Sequence, residues 1–195
     1  ILLFMLLIYS LKTTQRITYT FKHICFRILG IEVKFTSTIE EFIAYSGPKL
    51  SYGKKELGNE LFIQSSELLM QEGFESIDIT VKDWGDTKCF FAVGKNSALP
   101  FDIFAASFYL LSRYEEYLPQ VKDEKGRFLA SESIAFKAGF LQDPVVDIWA
   151  YKFKDLLLQT FPDIKYSARK PSVHTIINAS QPLLYKNKGL LRTLI

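Results

Sequence analysis

The sequence predicts an α/β fold: a single domain with a mixed, partly parallel sheet flanked by helices. Three observations carry this expectation. Strand, amphipathic helix and strand patterns follow one another within residues 5–35, a βαβ unit whose two strands run parallel. Two runs with strand character meet at Trp84-Gly85-Asp86 and add an antiparallel hairpin. Two long helical patterns rich in apolar residues, over 102–118 and 145–160, flank the sheet. With 195 residues, 48% of them hydrophobic and 15% aromatic, the chain can bury one substantial core.

Taken in order, Met5 to Tyr9 reads as a buried strand. From Thr14 to Leu29, Ile17, Phe21, Ile24 and Ile28 recur at helical spacing, with Thr13 or Thr14 as the cap and Gly30 as the stop. Ile31, Val33 and Phe35 then alternate with Glu32 and Lys34, the pattern of a strand with one polar face. Thr38, followed by Glu40 and Glu41, starts a short helix that Ser46-Gly47-Pro48 breaks, and the chain from there to Gly58 reads as loop. Leu61 to Gln64 is a short strand and Ser66 to Gln71 a helical turn ending near Gly73. Ile77, Ile79 and Val81 alternate with Asp78, Thr80 and Lys82 before the turn at Gly85, and Lys88 to Val93 returns as the partner strand.

The helix from Asp102 to Leu118 is apolar around its circumference, which predicts near-complete burial, and Pro119 ends it. A charged loop, Lys122 to Arg127, leads into a stretch without periodicity as far as Gln142. Asp143-Pro144 caps a last helix, Val145 to Thr160, with Val146, Trp149, Ala150, Phe153 and Leu157 on one face and Pro162 as its terminator. Residues 163–172 have the polar, proline-containing composition of a linker, and Val173 to Ile177 reads as a new strand. The organisation expected is therefore a domain over 5–162, a linker over 163–172 and the start of something further over 173–195.

Charge narrows the function. The 24 Lys plus Arg against 21 Asp plus Glu give a net +3, and the basic residues are scattered rather than gathered in a stripe, so a nucleic-acid partner is not expected. Cys25 and Cys89 lie far apart, neither in a CxxC, and read as small buried hydrophobes that suit a reducing compartment. The opening run Ile1 to Tyr9 lacks a positive leader and a small-residue cleavage site, and is shorter than the ~20 residues that span a bilayer. No membrane span and a cytoplasmic location are the expectations, with Met5 as a plausible start.

His23 and His174 cannot build a His-rich zinc site, and there is no HExxH, GxSxG, P-loop or GxGxxG. His23, inside the first helix, reads as a packed or surface residue. One cluster mixes charge with aromatic residues: Ser112-Arg113-Tyr114-Glu115-Glu116-Tyr117, at the end of the apolar helix. Two readings fit it. In one, Arg113 pairs with Glu115 or Glu116 and holds the helix end in register. In the other, Arg113 and Glu116 bind an anionic or hydroxyl-rich ligand on which Tyr114 or Tyr117 stacks. Phe90, Phe91 and the helix aromatics read as core, and Lys165, Arg169 and Lys170 as a solvated linker.

The segments MLLIYS, ILGIEVKFT, EEFIAYSGPKLSY, LPFDIFAASFYLLSRYEEYLP and GFLQDPVVDIWA together resemble the N-terminal domain that precedes the catalytic domain in a group of bacterial polysaccharide deacetylase-like (NodB-homology) proteins. The resemblance runs from Met5 to about Pro162 and rests chiefly on the FDIFAASFYLLSRYEEYLP stretch. It implies that a deacetylase strand bearing T-x-D-x-D follows the linker, one Asp acting as base and the next as ligand to a divalent metal ion. In this chain Asn178 and Ser180 stand at those two positions. Asn and Ser cannot be general bases near neutral pH, and Ser is a poor ligand for a divalent ion without a supporting carboxylate. The resemblance thus implies a truncated deacetylase start over 173–195, and a non-catalytic accessory domain that needs no cofactor itself. Its expected partners are a missing C-terminal catalytic domain and a glycan. The alternatives are a fragment of an active metal-dependent deacetylase, a stand-alone carbohydrate-binding domain and a purely structural domain.

Overall fold

The computed structural model describes residues 5–167, 170 and 172–178. Its fold is α/β. Four parallel strands, β1 (Leu6–Tyr9), β2 (Val33–Thr36), β3 (Lys49–Gly53) and β4 (Leu61–Gln64), lie in the order β2-β1-β3-β4. β1 has neighbours on both sides and all four of its residues are buried, as expected of a parallel strand covered on both faces. A separate antiparallel pair, β5 (Lys82–Trp84) and β6 (Thr87–Cys89), turns at Gly85, whose φ of +63° suits glycine.

The two-residue period of β1 divides the molecule. Leu6 and Ile8 point into the main core with Leu50 and Tyr52 of β3 and Leu61 and Ile63 of β4, while Leu7 and Tyr9 meet Phe42 on the opposite face. That opposite face belongs to a short helix, α2 (Ile39–Ala44), whose last carbonyls accept from Lys49 Nζ at 2.9–3.2 Å.

The main face carries three helices. The first, α1 (Gln15–Phe21), begins at Thr14, whose Oγ1 accepts from Ile17 N, and continues as a π-helical segment, Lys22–Ile28. The wider turn keeps Ile24, Cys25 and Ile28 all buried. The second, α3 (Ile103–Leu111), is buried along seven of its nine residues, with Phe104 stacked on Phe21 at 3.5 Å and edge-on to Phe153 at 5.4 Å. The last, α5 (Val145–Thr160), buries Trp149, Ala150, Phe153 and Leu157. Trp149 Nε1 donates to Lys88 O at 2.8 Å, which satisfies the indole as it packs against Phe90 and Phe101. A further short helix, α4 (Ile134–Lys137), lies in the stretch that showed no periodicity.

Several expectations are corrected. The stretch taken as loop after Pro48 contains β3, which pairs on both of its edges. The helix expected to run to Leu118 stops at Leu111, because Arg113 turns left-handed (φ 54°, ψ 45°) and starts a 3₁₀ turn over Tyr114–Tyr117. The hairpin forms at 82–89 rather than 77–93, leaving Ile77, Ile79 and Val81 packed on the core outside any ladder. At the start of α5 the cap position is Pro144 with no side-chain bond, and Val145 is buried rather than Val146. Val173–Ile177 joins no ladder among the described residues: Val173, Ile176 and Ile177 are 94%, 89% and 86% exposed, and a strand needs a neighbour to pair with. Both cysteines are free and buried, and burial pushes both thiols up.

Within the stretch expected to be a linker, Ile164 is buried and Ser167 N donates to Gly30 O at 3.1 Å. Gly30 has φ +66°, and a Cβ there would lie 2.3 Å from Ser167 O, so only glycine lets the chain pass. Gly30 lies just before β2, so the chain leaves the domain at the amino end of the sheet. Arg169, Ser180 and the segment Leu183 to Ile195 lie outside the described residues.

Candidate functional site

The strand order contains a reversal. From β1 the chain crosses through α1 to β2 on one side, and from β2 it crosses through α2 to β3 on the other side of β1. At such a switch point the loops leaving the carboxyl ends of neighbouring strands diverge and open a crevice, the usual ligand position in open parallel sheets. Here that crevice is a cavity of about 670 Å³, within the ~300–1,000 Å³ range of small-ligand sites.

Each wall comes from one strand end. Tyr9 ends β1, and Leu11 and Lys12 follow it; Lys54, Lys55 and Leu57 follow β3; Ser65, Glu67 and Gln71 follow β4. Lys54 pairs with Glu67 across the crevice, and Lys12 pairs with Glu72 at 3.2 Å. Glu56 accepts from Asn96 at 3.1 Å. Lys55 makes no hydrogen bond or ion pair among the described residues. The second loop is shaped by Glu60, which accepts from Ser51 Oγ at 2.5 Å and Leu57 N at 2.8 Å. Burial pushes the Glu60 carboxyl up, but these bonds outweigh it and hold the group below the usual carboxylate range.

The third loop departs from ordinary backbone geometry. Glu67 has φ +75°, a left-handed conformation that costs a non-glycine residue about 1–3 kcal/mol unless its surroundings hold it. Two contacts hold it: Glu67 N donates to Ser65 Oγ at 3.1 Å, and Ser66 N donates to Asp102 Oδ2 at 2.7 Å.

Asp102 is the polar centre beneath the crevice. It is fully buried at the start of α3, and Oδ1 accepts from Phe104 N and Ala105 N at 3.1 and 3.0 Å. Oδ2 accepts from Ser66 N and from Tyr52 Oη at 2.8 Å. One carboxylate thus ties β3, the loop after β4 and α3 together. Burial drives its pKa upward, the bonds from Ala105, Ser66 and Tyr52 pull against that, and the net direction is up. Tyr52 is pushed well above its usual value, first by burial and then by the neighbouring Asp102.

The cluster singled out from sequence lies elsewhere, at the other end of α3. Arg113 pairs with Glu116, its partner three residues on. Tyr114 is wholly buried, with Oη accepting from Glu75 N at 2.9 Å and the ring against Tyr109 at 5.2 Å. Tyr117 is 62% exposed and stacks on Phe74 at 4.4 Å. Glu115 accepts from Ile134 N at 2.7 Å, which anchors α4. Asn178 is exposed.

A family of unknown function (DUF7033) has a model that matches residues 6–162. The chain belongs to this family. No curated protein and no solved structure matches the chain. The description of DUF7033 names no activity, so for this member the chemistry has to be read from its own residues.

In this DUF7033 member the residues that sequence reasoning missed are Asp102, Tyr52 and the lysines of the crevice. An Asp directly before a strongly apolar helix is a visible capping signal. Its partners, 36 and 50 residues away, carry no such signal. Among the described residues there is no group of three or more His, Cys, Asp or Glu able to hold a metal ion, and no helix long and apolar enough to cross a membrane.

Proposed function

We propose that this chain is a non-catalytic, ligand-binding accessory domain, which captures a small molecule in the crevice at the carboxyl end of its sheet and precedes a polysaccharide deacetylase-like domain. The observation that carries the reading is the coincidence of the 670 Å³ cavity with the switch point of the strand order. Two further features support it. The chain leaves at the amino end of the sheet, so whatever follows is tethered at the end opposite the crevice. Asn178 and Ser180, standing where the resemblance would have two carboxylates, support an accessory rather than a catalytic role.

A second reading has one observation in its favour. Tyr117 is exposed, stacked on Phe74 and four residues from Arg113, which is the kind of aromatic surface on which a sugar ring packs. Mapping amide NMR shifts during titration with N-acetylglucosamine oligomers, and separately with a small-molecule fragment set, separates the two. Perturbations confined to residues 9–12, 54–57 and 65–71 are the expected result. Oligomer-induced shifts at 74 and 113–117 would transfer function to the aromatic end, and a folded chain showing neither would remove ligand binding altogether.

A further inference from the structure

We propose that the crevice takes an uncharged, largely apolar small molecule with the character of an acyl or isoprenoid chain. This rests on the reading of the crevice as a ligand site and adds the chemical class of its ligand. Charge at the rim is balanced. Lys12, Lys54 and Lys55 are matched by Glu56, Glu67 and Glu72, with Lys54 paired to Glu67 and Lys12 to Glu72 in exposed ion pairs. No excess of either sign is left to select an ionic ligand. A charged ligand would give up its water to a rim without net charge, whereas an uncharged one has no such cost. The polar groups of the floor are also engaged within the fold. Ser51 Oγ donates to Glu60 at 2.5 Å, Tyr52 Oη donates to Asp102 at 2.8 Å, and Gly53 O accepts from Ser65 N at 2.8 Å. A ligand rich in hydroxyls would shed its water there and gain few bonds in return.

What the crevice does offer is apolar surface and room. Leu11 is 79% exposed and Leu57 is 43% exposed, one on each of two loops that diverge at the switch point, and both line the cavity with Met70. Apolar side chains left in water at the mouth of a cavity mark a surface that an apolar ligand would cover. Where the second of these loops starts, the strand end is bare. Gly53 lines the cavity, its φ is not left-handed, and a Cβ there would meet no atom within 4 Å beyond its chain neighbours. The backbone does not require glycine at this position, and a glycine in a strand leaves space for close approach by a ligand. An apolar body in the cavity of about 670 Å³ would thus rest on Gly53 and be covered by Leu11 and Leu57.

An acyl chain and an isoprenoid share this chemistry, and competition for the uncharged fluorescent probe Nile red on the full chain distinguishes them. Saturable probe binding reversed by dodecanol or farnesol supports the proposal, and the tighter competitor names the source. Farnesyl phosphate is expected to compete no better than farnesol, and the affinity for farnesol to change less than about twofold between about 50 and about 500 mM salt. Gly53→Ile fills the bare strand end with a residue that suits a strand, and is expected to weaken farnesol binding at least about tenfold with the urea midpoint unchanged or raised. Leu11→Asn, at an exposed position that does not hold the fold, is expected to weaken it about threefold or more. Farnesol binding indifferent to both substitutions would lie outside the crevice and overturn the proposal. A phosphate at least about tenfold tighter than its alcohol, or binding of an N-acetylglucosamine trimer but of neither alcohol, would overturn the uncharged apolar class. Loss of that binding in Gly53→Ile would still keep the crevice as a ligand site. No saturable binding of the probe, the alcohols, the phosphate or the trimer, with the chain folded, would overturn both this assignment and the reading it rests on.

Discussion

The two ends of α3 handle charge in opposite ways. At its start Asp102 is wholly buried, and four donors from three parts of the chain converge on one carboxylate. At its end Arg113 and Glu116 meet in solvent, three residues apart, with side chains 73% and 28% exposed. The conspicuous cluster of charges is the cheap one, since an exposed pair contributes little beyond its own register. Asp102, which has neutral donors as its partners, carries the connection between the sheet, the crevice wall and the helix layer. Charge density along a sequence therefore points to the surface, whereas a lone acid ahead of an apolar run points to a cap that the core has closed over.

The largest effect expected from this contrast is that of Asp102→Ala. Removing the carboxylate leaves the Tyr52 hydroxyl and the amides of Ser66, Phe104 and Ala105 without partners in a buried site, a loss of about 3–5 kcal/mol measured by urea unfolding. The substitution also frees the loop that carries Glu67, so exchange of the 65–71 amides should rise even in mild conditions. The pH dependence has a definite sign. With its folded pKa raised above the unfolded value of about 3.9, Asp102 contributes stability that is fully present below that value. That contribution declines as pH rises through the folded pKa. The stability of the wild type minus that of Asp102→Asn should accordingly shrink from pH 4 towards neutrality; a difference that grows over this window would mean that the four hydrogen bonds outweigh burial.

How much of this was legible in the sequence follows from how local each signal is. The β1-α1-β2 unit was readable because the alternation of Ile31, Val33 and Phe35 and the recurrence of Ile17, Phe21, Ile24 and Ile28 are set within one segment. β3 was not. Its five residues, Lys49–Gly53, start directly after Pro48 and end in a glycine, too short for alternation to stand out from a turn, and its strand character comes from neighbours on both edges. Without β3 there is no strand order and no switch point, so the crevice, built from three loops distant in sequence, could not be found. The early end of α3 was hidden for another reason: a left-handed Arg113 is held by tertiary contacts, such as the burial of Tyr114, rather than by residue preference.

An intermediate effect isolates one spoke of the buried centre. Tyr52→Phe keeps the ring, which packs edge-on to Phe21 and Phe104, and removes only the hydroxyl that donates to Asp102. A loss of about 1.5–3 kcal/mol is expected, the range for a hydrogen bond to a charged group. Combined with Asp102→Ala, the double variant should cost less than the two losses added, since both remove the same bond. Strict additivity would break the account of Asp102 as a shared centre.

The smallest effects belong to the other end of α3, where two substitutions at one position separate backbone from charge. Arg113→Ala removes an exposed ion pair and keeps a residue with a Cβ at φ 54°, so a loss of no more than about 1 kcal/mol is expected. Arg113→Gly removes the same pair but relieves the left-handed conformation, which costs a non-glycine residue roughly 1–2 kcal/mol. The glycine variant should therefore be the more stable of the two by about 1 kcal/mol in parallel urea titrations, despite the extra freedom it gives the unfolded chain. Equal losses would show that the backbone at Arg113 is unstrained, and a loss from Arg113→Ala comparable with that from Asp102→Ala would erase the difference between the two ends of the helix.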